Sequence, residues 1–144
     1  MERPSGSGNG DEEFGPKHFY GVVPVFLVDE IVPTVEYYRD VLGFEVDFVY
    51  GDPPTYGSVS RGGAVLQFTL SDPPGRRNSV LRAGPGNGVD AYFVVRDVDE
   101  LHEELRSRGA LVRQSPATHY YGMREFKIED CNGYLMVFAE EADV

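Results

Sequence analysis

Val28-Asp29-Glu30-Ile31 and, a few residues on, Tyr37-Tyr38-Arg39-Asp40-Val41-Leu42-Gly43-Phe44 decide how this chain folds. The apolar, β-branched run from Val22 to Val28 reads as a strand. Pro33 to Leu42 then carries Val35, Tyr38, Val41 and Leu42 on one helical face. Pro33 suits a first helical turn and Gly43 the position just past the last one. Phe44 to Tyr50 reads as the next strand. After the turn Gly51-Asp52-Pro53-Pro54, Tyr56 to Ser60 is another, and Arg61-Gly62-Gly63 makes a tight hairpin into Ala64 to Leu70. The order is β-α-β-β-β.

The same order returns. Val89 to Val95 reads as a strand and Asp97 to Arg108 as a helix, with Val98, Leu101 and Leu105 on one face and Gly109 closing it. Asp97 followed by Glu100 resembles a capping box. Leu111 to Gln114, Met123 to Glu129 and Tyr134 to Ala139 are strands, the last two joined by a turn through Asn132-Gly133. Asp97 lies 67 residues after Glu30 and Gly109 lies 66 after Gly43. Two matches at nearly one offset, both at element boundaries, argue for an internal duplication. The chain divides into a disordered leader (1–17), a first module (18–70), a Pro/Gly-rich linker (71–88), a second module (89–140) and an acidic tail (141–144). The glycine string in the linker lacks the Lys-Ser/Thr and the helix opening of a phosphate loop and reads as a turn.

Of the 144 residues, 24 are Asp or Glu and 13 are Lys or Arg, for a net charge of −11. Repulsion from phosphate makes nucleic acid and anionic lipid poor partners and a cationic ligand a better one. The single cysteine, Cys131, excludes an internal disulfide and a cysteine zinc site, which suits a reducing, cytoplasmic setting. No stretch has the ~20 apolar residues of a membrane span, and the N-terminus lacks the basic and apolar regions of a signal peptide.

The segment Tyr37 to Phe44, with Val28-Asp29-Glu30-Ile31 before it, resembles the opening module of the glyoxalase / bleomycin-resistance / extradiol dioxygenase (vicinal oxygen chelate) superfamily. Gly122-Met123-Arg124-Glu125-Phe126 through Asp130-Cys131-Asn132-Gly133-Tyr134 is similar to its closing hairpin. The resemblance runs from about Phe19 to Glu140. It implies an α+β fold of two tandem βαβββ modules, whose curled mixed sheets surround a shared cavity, often completed by a second subunit as a homodimer.

The resemblance also implies four places for metal ligands, at the start of the first strand and on the last strand of each module. Here they fall on Val23, Gln67, Asp90 and Val137. Two are hydrocarbon, and a stable divalent site wants about three protein ligands or more. His18 belongs to the leader, His102 to the exposed face of the second helix, and His119 to the loop before the seventh strand, within reach of a cavity rim. No metal or other cofactor is expected, and the unmatched ligand set leans against an enzyme.

Taking the ligand places as inward sets the parity of each strand. Val23, Val25 and Leu27 then face the cavity, with Gln67, Thr69, Asp90, Tyr92, Val94, Leu135 and Val137, a mostly apolar cleft with a few polar groups. Tyr56, Tyr120 and Tyr121 are candidate aromatic walls, and Asp90 and Glu125 candidate anions for a cationic ligand. The expected ligand-binding set is Val25, Tyr56, Gln67, Asp90, Tyr92, Tyr121, Glu125 and Val137. The closest branch is the bleomycin-resistance-like one, and the expected function is metal-free binding of a planar or cationic small molecule, a drug or a metabolite, with antibiotic resistance as one role. The alternatives are a metal-dependent lyase or dioxygenase with differently placed ligands, a metal-free acid/base enzyme using Asp90 or Glu125, and a vestigial or regulatory member.

Overall fold

A computed structural model describes residues 17–79 and 88–143. Module one runs β1 (Val25–Val28), α1 (Ile31–Asp40), β2 (Glu45–Tyr50), β3 (Tyr56–Arg61) and β4 (Ala64–Leu70). Module two runs β5 (Ala91–Val94), α2 (Val98–Ser107), β6 (Leu111–Thr118), β7 (Met123–Glu129) and β8 (Leu135–Glu141). Each forms one four-stranded mixed sheet, ordered β1-β4-β3-β2 and β5-β8-β7-β6. In each, the first strand is parallel to the last, because the helix carries the chain back across the sheet before three antiparallel strands follow. This is the α+β fold of two βαβββ modules. Among the described residues no helix is long and apolar enough to cross a membrane.

The boundaries follow backbone chemistry. Gly43 (φ 73°) turns the end of α1 into β2 in a conformation that side chains rarely adopt, and a Cβ there would stand 2.7 Å from Arg61 Nη1. Ladder pairing in β1 begins at Val25 opposite Gln67, after Pro24, which has no N–H to contribute. β6 is longer than Leu111 to Gln114; it continues through Pro116 to Thr118 by two register irregularities, on an edge strand where proline is tolerated. The capping box does not form: Asp97 lies in the left-handed region (φ 56°) and makes no side-chain cap. Glu140, from β8, caps α2 instead, accepting the Asp97 and Val98 amides at 2.9 and 3.0 Å. His102 is half-buried rather than on the surface, its ring edge-on to Phe126 at 5.2 Å.

Strand alternation separates two faces. Phe26, Val28, Val59, Leu66 and Phe68 of sheet one pack against Ile31, Val35, Tyr38 and Leu42. Phe126, Ile128, Met136 and Phe138 of sheet two lie with Val98 and Leu105 in the same core. Among the described residues the opposite face of each sheet carries no helix.

Side-chain hydrogen bonds join the modules around this core. Tyr38 donates its hydroxyl to Asp130 at 2.5 Å. Arg61 binds both carboxylate oxygens of Glu104, at 2.8 and 3.0 Å, and the Leu42 carbonyl at 2.8 Å. The Tyr134 hydroxyl donates to the Leu27 carbonyl at 2.6 Å.

The first part of the expected linker lies against both modules. Asn78 imitates a strand residue on the free edge of β1: its Oδ1 accepts the Leu27 amide and its Nδ2 donates to the Val25 carbonyl, both at 2.9 Å. Arg77 reaches Asp29 and the Asn132 carbonyl. Linker residues 80–87, leader residues 1–16 and residue 144 lie outside the described residues.

Candidate functional site

Pairing across sheet two puts Val94, Ala139, Glu125 and Ala117 in one row of the helix-free face, and Tyr92, Val137, Lys127 and Gln114 in the next. The two neighbours of Glu125 in its row are alanines, so the space above its carboxylate is left to longer side chains from further away. Tyr92 reaches from β5 across β8 and donates to Glu125 Oε2 at 2.6 Å. Tyr121, from the β6–β7 loop, donates to Oε1 at 2.7 Å. His119 stacks on Tyr121, ring centroids 5.2 Å apart, and its Nε2 stands 3.6 Å from Glu125 Oε1. The Gln114 amide nitrogen lies 3.1 Å from the same Nε2.

Electrostatically this is a carboxylate 8% exposed, clamped by two phenols. Burial first, and then the Glu125 carboxylate, push the Tyr92 hydroxyl up to about 12. The hydrogen bond to Glu125 first, and then burial, push Tyr121 to about 12 as well. Both therefore stay protonated donors at neutral pH. Arg124, on the opposite face, is bound to Asp99 at 2.9 Å and leaves Glu125 to the tyrosines.

A second polar chain lies on the helix-free face of sheet one. Tyr56 donates to Gln67 Oε1 at 2.7 Å, and Gln67 Nε2 faces Ser58 Oγ at 3.4 Å. Ser58 and Ser60 in turn donate to Asp47 at 3.1 and 2.7 Å. The Tyr56 ring stacks on Phe48 at 8° and 6.4 Å, a planar aromatic shelf. Val25 stands opposite Gln67 on the neighbouring strand.

Between the modules runs a groove of about 740 Å³, lined by Val22 and Pro24, the β3–β4 turn from Arg61, and β5 with Asp90 and Tyr92. Tyr92 thus belongs both to this groove and to the Glu125 cluster. The expected residues therefore gather in two groups, Tyr92, Tyr121, Glu125 and Val137 on one sheet and Val25, Tyr56 and Gln67 on the other. Asp90 joins neither group: its Oδ2 accepts the Leu135 amide at 2.8 Å and the Ser79 hydroxyl at 3.0 Å, fixing the start of β5 against β8. His119 and Gln114 complete the first group; the run His119-Tyr120-Tyr121 was its only local signal.

The four metal-ligand places do not fit a metal. Val23 and Val137 offer hydrocarbon, the Gln67 carbonyl is taken by Tyr56, and the Asp90 oxygen by Leu135 and Ser79. Among the described residues no group of three or more His, Cys, Asp or Glu is arranged to hold an ion. Cys131 is exposed, and burial of its sulfur, with the nearby Asp130, pushes its thiol up to about 12, away from nucleophilic use.

Residues 22–138 match the family model described as Glyoxalase/Bleomycin resistance protein/Dioxygenase superfamily. No curated protein matches the sequence. Among solved structures, the bleomycin-binding protein from bleomycin-producing Streptomyces verticillus, complexed with copper(II)-bleomycin, is similar at 27% identity and a TM-score of 0.61, covering 88% of this chain and 98% of that one. TioX from Micromonospora sp. ML1 is similar in fold, with 19% identity, a TM-score of 0.66 and 83% and 96% coverage. A glyoxalase-related enzyme from Clostridium phytofermentans shares the fold at 20% identity, a TM-score of 0.66 and 83% and 93% coverage.

Proposed function

The chain belongs to the glyoxalase/bleomycin resistance protein/dioxygenase superfamily, and within it we propose that this protein binds and sequesters a planar or cationic small molecule, without a metal and without turnover. The observation that carries this reading is the Glu125 carboxylate, held by the Tyr92 and Tyr121 hydroxyls on the helix-free face of sheet two. A carboxylate beside aromatic rings attracts a cation through charge and through the ring faces together. The Phe48–Tyr56 shelf on the other sheet suits a flat ring. The relative bound to copper(II)-bleomycin supports a ligand of that kind, an antibiotic or a metabolite of similar shape and charge; removal of an antibiotic by binding is the resistance role this implies.

The protein acts as a cytoplasmic homodimer in this reading. Phe19 and Val22, in the segment before β1, are 84% and 87% exposed, and Val94 of β5 is 76% exposed. Apolar surface left open in this way fits burial against a second copy.

Calorimetric titration of the EDTA-treated protein with metal-free and copper(II)-loaded bleomycin, followed by chromatography of the recovered ligand, tests the proposal. Binding with the ligand recovered unchanged is the expected result. Chemical alteration of the ligand would point instead to the acid–base enzyme reading, with Glu125 as the base; binding that requires a metal added to the protein would overturn the metal-free site.

A further inference from the structure

We propose that His119 is a built-in competitor for the Glu125 cation site, so that acidification expels a cationic ligand. The inference rests on the cation-binding reading above and adds its regulation.

In the present arrangement the Gln114 amide nitrogen, a donor, faces His119 Nε2 at 3.1 Å. With that amide as the donor, Nε2 is the acceptor, and the first of the two states we propose is an imidazole carrying its one proton on Nδ1. The same Nε2 stands 3.6 Å from Glu125 Oε1. A second proton on the ring lands on Nε2 and turns a hydrogen-bond acceptor into a cation beside the carboxylate. Rotation of the Gln114 amide, which presents its oxygen in place of its nitrogen, accommodates the new N–H. The proposed site thus has two self-consistent states: neutral His119 with the Glu125 carboxylate, still held by the two tyrosines, attracting an external cation, and cationic His119 already in that role. Stacking of His119 on Tyr121 keeps the ring in place in both.

Charged and titratable groups surround the pair on every side. From β5 come Tyr92, bound to Glu125, and Asp90, bound to the Leu135 amide. β7 brings Lys127 in the next row and Glu129, which is paired with Arg113 of β6. β8 brings Ala139 opposite Glu125 and, one row on, Glu141. The loop supplies Tyr121 and, edge-on to it, Tyr120.

The test uses the full chain and benzamidine, a planar aromatic amidinium, with uncharged benzamide as its match. Long-range ¹H–¹⁵N spectra follow the imidazoles without ligand, His119 being assigned through H119Q. The expected result is an Nδ1–H tautomer at alkaline pH and a protonation midpoint that falls in E125Q, since the carboxylate no longer favours the cation. An unmoved midpoint in E125Q overturns the gate. Calorimetry then compares benzamidine binding above and below the measured midpoint. One pH unit below it, strict competition weakens binding about tenfold, H119Q loses this dependence, and by reciprocity saturating benzamidine lowers the His119 midpoint. Equal benzamidine affinity at both pH values overturns the gate and leaves the cation site standing. Absence of benzamidine binding at either pH, with His119 still responding to E125Q, overturns the ligand class and the gate with it, though not the His119–Glu125 pairing.

Discussion

The hydroxyl of Tyr38, on α1 of the first module, donates to the carboxylate of Asp130, in the β7–β8 turn of the second, at 2.5 Å. Asp130 also accepts the Asn132 and Tyr134 amides on its other oxygen at 2.8 and 2.9 Å. One buried carboxylate therefore shapes the closing turn and fastens it to the opposite module.

Burial raises the pKa of Asp130 above the usual carboxylate range, and the Tyr38 hydroxyl and the two amides pull it back. The raised value means that ionising Asp130 costs stability, a contribution full below its unfolded-chain pKa and lost as pH rises through the folded one. The Tyr38 bond has the opposite sign: it favours the ionised form, so its share is present at neutral pH and lost as pH falls through the folded pKa of Asp130. Tyr38→Phe should destabilise the protein by about 2 kcal/mol at neutral pH, with a smaller gap to wild type in acid. Denaturant unfolding across pH measures this, and a gap that widens on acidification contradicts it.

Asn78 closes the outer edge of β1 through its side chain alone. Asn78→Ala should speed hydrogen exchange at the Leu27 amide markedly while leaving Phe68 and Phe126 in the core protected. Unchanged exchange at Leu27 would show that the edge is held by something else.

Glu140 replaces the missing N-cap of α2 from another element. Glu140→Ala should cost about 1 kcal/mol, the size of a lost cap, whereas Asp97→Ala should cost less, since the Asp97 side chain makes no cap bond. Thermal melts of the two variants compare them, and the reverse order would refute the assignment.

Sedimentation velocity should find a dimer, and Val94→Asp, which puts a charge at a residue 76% exposed in the single chain, should yield monomer without loss of helicity. A wild-type monomer would remove the homodimer from the account.

How much of this was legible depended on how local its signal was. The turn at Gly62-Gly63, the end of α1 at Gly43 and the repeat at Glu30 and Asp97 are written in adjacent residues and appear where the pattern puts them. The capping of α2 failed as a local inference because its acceptor, Glu140, lies 43 residues from Asp97. The extent of β6 was hidden because Pro116 ends a strand by composition, yet sits on an edge between two irregularities. Asp90 was read as a pocket anion and lines the groove, yet no local pattern reveals that its carboxylate also binds the Leu135 amide, 45 residues away. Strand parity put Tyr92 on the cavity side, and Glu125 was named only as a candidate anion; that Tyr92 would reach over a whole strand to Glu125, and that Gln114 would meet His119 there, follows only from the sheet order.

Thermal unfolding of the EDTA-treated protein, with cationic planar aromatics in one arm and Ni, Zn, Fe and Mn ions in the other, tests the central claim most directly. A cationic aromatic at about a hundredfold its Kd should add ~2.7 kcal/mol and raise the melting temperature visibly, an effect lost in Glu125→Gln, while the metals leave it unmoved. A shift with a metal and none with any cationic aromatic would contradict the account.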